Sequence, residues 1–188
     1  MVKLNKIYTR TGDDGSTGLA DGSRVNKDCF RVRAYGEVDE ANSALGVARL
    51  HIDNVELGRC LSRIQNDLFD LGADLSTPTL KDDDSKALRI VQSQIDRLED
   101  ELDHLNKHLA PLKTFVLPGG SAAASYLHLA RAITRRAERE IVSMAKQETI
   151  NPLALKYINR LSDYLFVAAR WCNTQGKTDV KWVPGGER

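Results

Sequence analysis

"ARAITRRAERE", residues 130–140, carries the periodicity that decides the fold. Ala130, Thr134 and Ala137 recur at spacings of three and four, the repeat of a helix face that packs against a neighbour. Followed back to Ala123 and Leu127 and on to Ile141 and Met144, the seam predicts one helix from about Ser121 to Glu148. The same segment stacks Arg131, Arg135 and Arg139 four residues apart, so three guanidinium groups share one stripe. At about 100° per residue, Arg131 lies about 90° from the centre of the apolar seam and borders buried surface.

Similar seams run through the rest of the chain. Val38, Ala41, Leu45, Ala48 and Ile52 predict a first helix after Gly36. Leu57, Leu61, Ile64, Leu68, Leu71 and Leu75 predict a second over 54–75, and Leu88 to Leu109 a third over 85–109. A fifth begins at Asn151-Pro152, a capping residue followed by proline at the first helical position, with Ala154, Ile158, Leu161, Leu165, Ala168 and Cys172 as its seam. Alternating three-four spacing and short connections predict an all-α, up-and-down five-helix bundle whose sequential helices are antiparallel neighbours. The expected single domain, 1–188, has an irregular N-terminal arm (1–36), the bundle (37–175) and a polar, partly disordered tail (176–188). The stretch "STPTLKDDD", 76–84, reads as a mobile loop.

The 188 residues are 41% hydrophobic and 28% charged, with a formal net charge of +1. That balance suits one folded domain and argues against general affinity for nucleic acid or an anionic membrane. No segment has the length and hydropathy of a signal peptide or membrane span. Cys29, Cys60 and Cys172 are odd in number and scattered, which fits unpaired thiols in a reducing cytoplasm.

The arginine stripe has two readings. Like charges at i, i+4 cost roughly 0.2–0.5 kcal/mol a pair, so a solvated face laced with Glu138 and Glu140 tolerates them. A bound polyanion is the other reading. On the fifth helix Asn159, Asp163, Phe166 and Arg170 form a second stripe nearly opposite its seam; a lone surface aromatic there is ordinary, and together with the arginines it suggests a face that meets something, such as another subunit. In the arm, "YTRTGDDGSTGL" (8–19) combines Gly12, Gly15 and Gly18 with hydroxyls at Thr9, Thr11, Ser16 and Thr17. Such loops serve as ordinary turns or cradle phosphate through backbone N–H groups, and this one lacks the GK[ST] of a Walker loop. Glu101, His104 and His108 share a helix side, but a di-iron bundle needs a second E-x-x-H motif, so a solvated face is the simpler reading. "FVLPGGSAAAS" (115–125) stops extended chain at Pro118, allows close backbone approach at Gly119-Gly120 and caps the next helix with Ser121.

Taken in order, "YTRTGDDGSTGL", "YGEVDEANSALG" (35–46), "FVLPGG" (115–120), "ARAITRRAERE" and "INRLSDYLFVAAR" (158–170) resemble the PduO-type ATP:cob(I)alamin adenosyltransferases over nearly the whole chain. The resemblance implies a homotrimer of five-helix bundles with active sites between subunits. It implies that Thr9, Arg10, Thr11, Gly12, Thr17, Gly18 and Lys27 surround ATP, completed by Arg135, Arg136, Ala137, Glu138, Arg139 and Asn159. It assigns catalytic positions to Arg135, Arg131, Asp39 and Phe115: Asp39 pairs with Arg131 across the subunit boundary, and Phe115 walls the corrin pocket. Asp14 stands where some members carry lysine. The implied substrates are ATP and cob(I)alamin, the products adenosylcobalamin and triphosphate. Magnesium is expected on the ATP phosphates, and a reductase and a B12-dependent client enzyme are expected partners. A catalytically silent nucleotide or cobalamin carrier and a helical scaffold are the rival readings.

Overall fold

The computed structural model describes residues 7–78 and 87–186. Five helices follow a two-stranded hairpin: β1 (Ser16–Gly18), β2 (Arg24–Asn26), α1 (Phe30–Arg49), α2 (Val55–Ser76), α3 (Gln92–Asn106), α4 (Ala122–Ala145) and α5 (Pro152–Cys172). Helix direction alternates along the chain. Arg33 meets Glu140, and Glu37 meets Arg136, so α1 and α4 are antiparallel. Ile90 meets Asn151, Glu99 meets Arg160 and Ala110 meets Arg170, so α3 runs parallel to α5.

The expected bundle of five alternating helices is present, but its packing order differs from sequence order. Close helix pairs are α1 with α2, α1 with α4, α4 with α5, and α3 with α5. Helix α3 reaches α2 through side chains. Asp67 of α2 accepts from Arg97 Nη2 at 2.8 Å, from Gln94 Nε2 at 2.9 Å and from the Tyr157 hydroxyl of α5 at 3.1 Å, while Arg63 pairs with Glu101. Residues 107–121 carry the chain across from α3 to α4, so these sequential helices are not packed neighbours. Apolar seams say which face is buried and not against which helix.

The seams of α1, α2, α4 and α5 face the core, whereas the expected third seam is fully buried only at Ile95 and Leu98, with Leu88 and Val91 exposed. Ala34, Val38, Ala41, Leu45 and Ala48 of α1 are buried, as are Leu57, Leu61, Ile64, Leu68, Leu71 and Leu75 of α2. Each buried leucine contributes about 1.5–3 kcal/mol by leaving water. Asn54, Ser121 and Asn151 cap α2, α4 and α5, each side chain accepting a backbone N–H in the first turn.

Two boundaries are corrected. Helix α1 starts at Phe30, not after Gly36, because Arg31 is a buried core-edge residue: it pairs with Glu148 and donates to the Leu75 carbonyl. Helix α3 starts at Gln92, not 85. Upstream, Ile90 is buried and its N–H donates to Asp74 Oδ2 at 2.9 Å, which holds that chain out of helical geometry. The loop expected at 76–84 falls largely on 79–84, outside the described residues. The tail also departs from expectation up to residue 186. Asp179 accepts from Arg170 Nε at 2.8 Å, both side chains buried, and Lys181 bridges to Val116.

Candidate active site

The arm is a built loop. Lys27 Nζ donates to the Gly12 carbonyl at 2.7 Å, and a Cβ on Gly12 would stand 3.1 Å from that Nζ and from the Ser16 carbonyl. Thr9 and Thr11 share a hydroxyl hydrogen bond of 2.9 Å, and Arg10 turns the chain at φ 63°. Among the described residues, the N–H groups of Thr11 and Gly12 have no intramolecular partner, so the turn presents donors to solvent. Thr17 pairs with Val25 in the hairpin, and Gly18 ends β1.

Two D-G-S triplets set the shape of this arm. Asp14 accepts from Ser16 N at 2.9 Å and Ser16 Oγ at 2.7 Å; Asp21 accepts from Ser23 N at 2.9 Å and Ser23 Oγ at 2.6 Å. Gly15 and Gly22 sit between them at φ 85° and 84°, which only glycine adopts readily. The hydrogen bonds from Ser16 hold the Asp14 carboxyl below the usual carboxylate range. Asp14 shapes the turn, and its charge is also offset by Arg24 at 3.7 Å. Periodicity does not reveal these turns, although the repeated triplet is visible in the sequence.

On α4 the four arginines divide by face. Arg136 lies between Glu37 and Glu40 of α1 and is engaged there, so its guanidinium is not open to a ligand in this arrangement. Ala137 is fully buried in the core, so its methyl group packs inside the bundle. Arg135 and Arg139 are exposed and Arg131 is half-buried, and none of the three has a carboxylate partner among the described residues. Burial, then the Arg135 cation, lower the pKa of the Arg131 guanidinium, and its Nε has no partner. Asn159 of α5 donates to Glu138 at 2.7 Å on the rim of an open groove of about 880 Å³ between α4 and α5.

Asp39 is elsewhere. It is exposed on a groove of about 410 Å³ between α1 and α2, beside Tyr35, Asn42, Phe69 and Gly72. The arm adjoins this groove at Ala20, whose N–H donates to the carbonyl of the lining residue Ser76 at 3.3 Å. One chain therefore carries two separate sets of groups: the arm with Asp39 on the α1–α2 side, and Arg131, Arg135, Arg139 and Asn159 on the α4–α5 side. The second stripe on α5 is less exposed than its spacing implied. Phe166 is half-buried against the ring of His128, and Arg170 is buried.

Phe115 projects from the connection between α3 and α4, 75% exposed. Its loop is pinned by residues that the sequence reading did not single out. Asn173 Oδ1 accepts from Ser121 N at 2.9 Å, while Asn173 Nδ2 donates to the Gly119 carbonyl at 3.0 Å and to Asp179 Oδ1 at 3.2 Å. Gly120 has φ 102°, and a Cβ there would lie 2.6 Å from Asn173 Cγ.

Glu101 is taken up by Arg63, and His104 and His108 are exposed with their rings in edge contact at 5.7 Å. Among the described residues no group of three or more His, Cys, Asp or Glu side chains is placed to hold a metal ion, and no helix is long and apolar enough to cross a membrane.

Comparison with known proteins converges on one family. The profile of the family described as "Cobalamin adenosyltransferase" matches residues 7–172. The corrinoid adenosyltransferase of Mycobacterium bovis is 52% identical over 190 residues, covering 100% of this chain and 97% of that protein. The Bacillus subtilis corrinoid adenosyltransferase is 44% identical, covering 94% of this chain and 92% of its own. A variant of the PduO-type ATP:corrinoid adenosyltransferase from Lactobacillus reuteri, solved with cobalamin and ATP, superposes with a TM-score of 0.87 at 42% identity over 94% of this chain and 99% of that one. By sequence along its whole length and by fold, the chain belongs to the cobalamin adenosyltransferase family.

Proposed function

We infer that this protein transfers the 5′-deoxyadenosyl group of ATP to the cobalt of cob(I)alamin. The Co(I) electron pair attacks C5′, the C5′–O bond breaks, and adenosylcobalamin and triphosphate leave. Cobalt is itself the nucleophile, so the protein needs no serine, cysteine or histidine nucleophile. Its task is to align the reactants and stabilise charge on the departing triphosphate.

The observation that carries this reading is the division of the arginine column on a chain of this family. Arg136 is neutralised by two glutamates, whereas Arg135 and Arg139 are exposed and have no carboxylate partner among the described residues; Arg139 Nη1 donates to the Arg135 carbonyl at 3.0 Å, and both guanidiniums suit phosphate oxygens. Thr9, Arg10, Thr11, Gly12, Thr17, Gly18 and Lys27 form the other wall of the nucleotide site, where the N–H groups of Thr11 and Gly12 have no backbone partner among the described residues. Glu138 and Asn159 border the arginine side as one hydrogen-bonded pair. Magnesium would enter with the nucleotide and would add countercharge to the leaving triphosphate beside Arg135 and Arg139. Phe115 covers the lower face of the corrin and excludes a lower ligand, favouring four-coordinate cobalt that is easier to reduce.

The two sets of groups lie on different faces, so a second copy must bring them together. Such a contact is head-to-tail, and it closes as a ring. We propose a homotrimer in which Asp39 of one copy pairs with the half-buried Arg131 of the next and each interface holds one site. Sedimentation is expected to give about three chains per particle; a monomer at working concentration would contradict the ring. A cytoplasmic setting, with a reductase supplying Co(I) and a B12-dependent enzyme taking the product, completes the proposal, and three unpaired cysteines fit such a setting.

Arg135→Ala tests the clamp. Turnover should be lost while the helical circular dichroism remains, because Arg135 is exposed and unpaired. Near-native turnover in that variant would refute the clamp.

A further inference from the structure

We propose that Trp182 is a positioning residue for the corrin: it sets the ring of Phe115, and through it the coordination state of bound cobalt. The inference rests on the adenosyl-transfer reading above. Residues 180–182 run antiparallel to residues 115–117 as a short paired strip. Leu117 N donates to the Val180 carbonyl at 2.8 Å, Trp182 N donates to the Phe115 carbonyl at 2.9 Å, and Thr114 Oγ1 donates to the Trp182 carbonyl at 3.0 Å. The indole meets the Phe115 ring edge-to-face, centroids 5.8 Å apart at 61°. Among the described residues this is the one ring contact that Phe115 makes.

Phe115 needs such a support. With three quarters of its surface exposed, the ring has little else to choose its rotamer, and a wall that turns freely does not exclude a lower ligand. Trp182 is itself 42% exposed and belongs to no part of the core, so its removal takes little from the fold. The strip is anchored where it leaves the bundle: Asp179 is buried between Arg170 and Asn173, and Asn173 also holds the Gly119–Ser121 turn. Tail and wall are therefore fastened at one knot, and the indole is held against the ring from the same side.

The test compares native protein, Trp182→Ala, Trp182→Phe, Phe115→Ala and the double alanine variant. Each is assayed with ATP and either intact cob(I)alamin or a corrinoid lacking the nucleotide tail. An edge-to-face pair corresponds to about a 2- to 12-fold change. Trp182→Ala should lower kcat/KM for intact cobalamin by that factor, leave KM for ATP unchanged, and affect the tailless corrinoid by less than about 2-fold. With cob(II)alamin and ATP bound, the absorbance of the four-coordinate form should fall. Trp182→Phe should restore most of both, and Trp182→Ala should add nothing once Phe115 is alanine. Equal losses on the two corrinoids, or additive losses in the double variant, would overturn the inference, as would native behaviour of Trp182→Ala. Absence of turnover in the native protein would instead overturn the adenosyl-transfer reading itself.

Discussion

The two glycines at 119 and 120 stand side by side in sequence but carry different loads, and one pair of substitutions separates them. Gly120 has φ 102°, a region that costs an L-residue about 1–3 kcal/mol. An alanine Cβ there would also lie 2.6 Å from Asn173 Cγ, so the carboxamide must move. That carboxamide makes three hydrogen bonds, to Ser121 N, the Gly119 carbonyl and Asp179 Oδ1, each contributing about 1 kcal/mol net. Gly120→Ala should therefore destabilise by about 4–6 kcal/mol if the knot cannot rearrange. Gly119→Ala meets only Val180 Cγ2 at 3.5 Å, an ordinary contact, and should cost under about 1 kcal/mol. Urea unfolding followed by far-ultraviolet circular dichroism measures both. A loss below about 1 kcal/mol for Gly120→Ala, or equal losses at the two positions, would refute the assignment of the knot to Asn173.

Two further predictions concern protonation. His128 is buried with both ring nitrogens unpartnered; burial, then the Arg131 cation, lower its pKa, against a smaller opposing pull from Asp179. Its neutral form thus adds stability that is complete above the unfolded value of 6.5 and is lost as pH falls through the lower folded value. The urea midpoint should drop between pH 7.5 and about 5, less so in His128→Gln; an identical drop in both would contradict this. Burial raises the Cys172 thiol from 9.0 to about 11, so its contribution to stability is intact below pH 9 and lost as pH rises through about 11. Iodoacetamide at pH 9 should label Cys172 in unfolded protein far faster than in native protein, and equal rates would rule out the raised pKa.

Much of the fold was legible because a helix buries residues at a fixed spacing. The seams of α2, α4 and α5 match the buried residues closely, and the asparagine and serine caps stand where their side chains act. What escaped depends on partners distant in sequence. Arg31 reads as a surface charge until Glu148 and Leu75 are beside it, and Asp74 reads as a gap in a seam until it takes the Ile90 N–H. Asp179 looks like part of a polar tail because nothing local announces that Arg170 is buried against it and that Asn173 donates to it. The candidate site divides the same way. Arg135 and Arg139 are exposed as the stripe implied, while Arg136 is claimed by α1 and Ala137 by the core, which only the packing of α1 on α4 reveals.

Anaerobic mixing of the purified protein with ATP, magnesium and chemically reduced cobalamin, followed by absorbance, tests adenosyl transfer itself. Adenosyl transfer predicts loss of the Co(I) spectrum, a light-sensitive adenosylcobalamin product and one triphosphate per turnover. Persistence of the Co(I) spectrum with folded protein that still binds ATP would contradict adenosyl transfer and leave a nucleotide-binding carrier in its place.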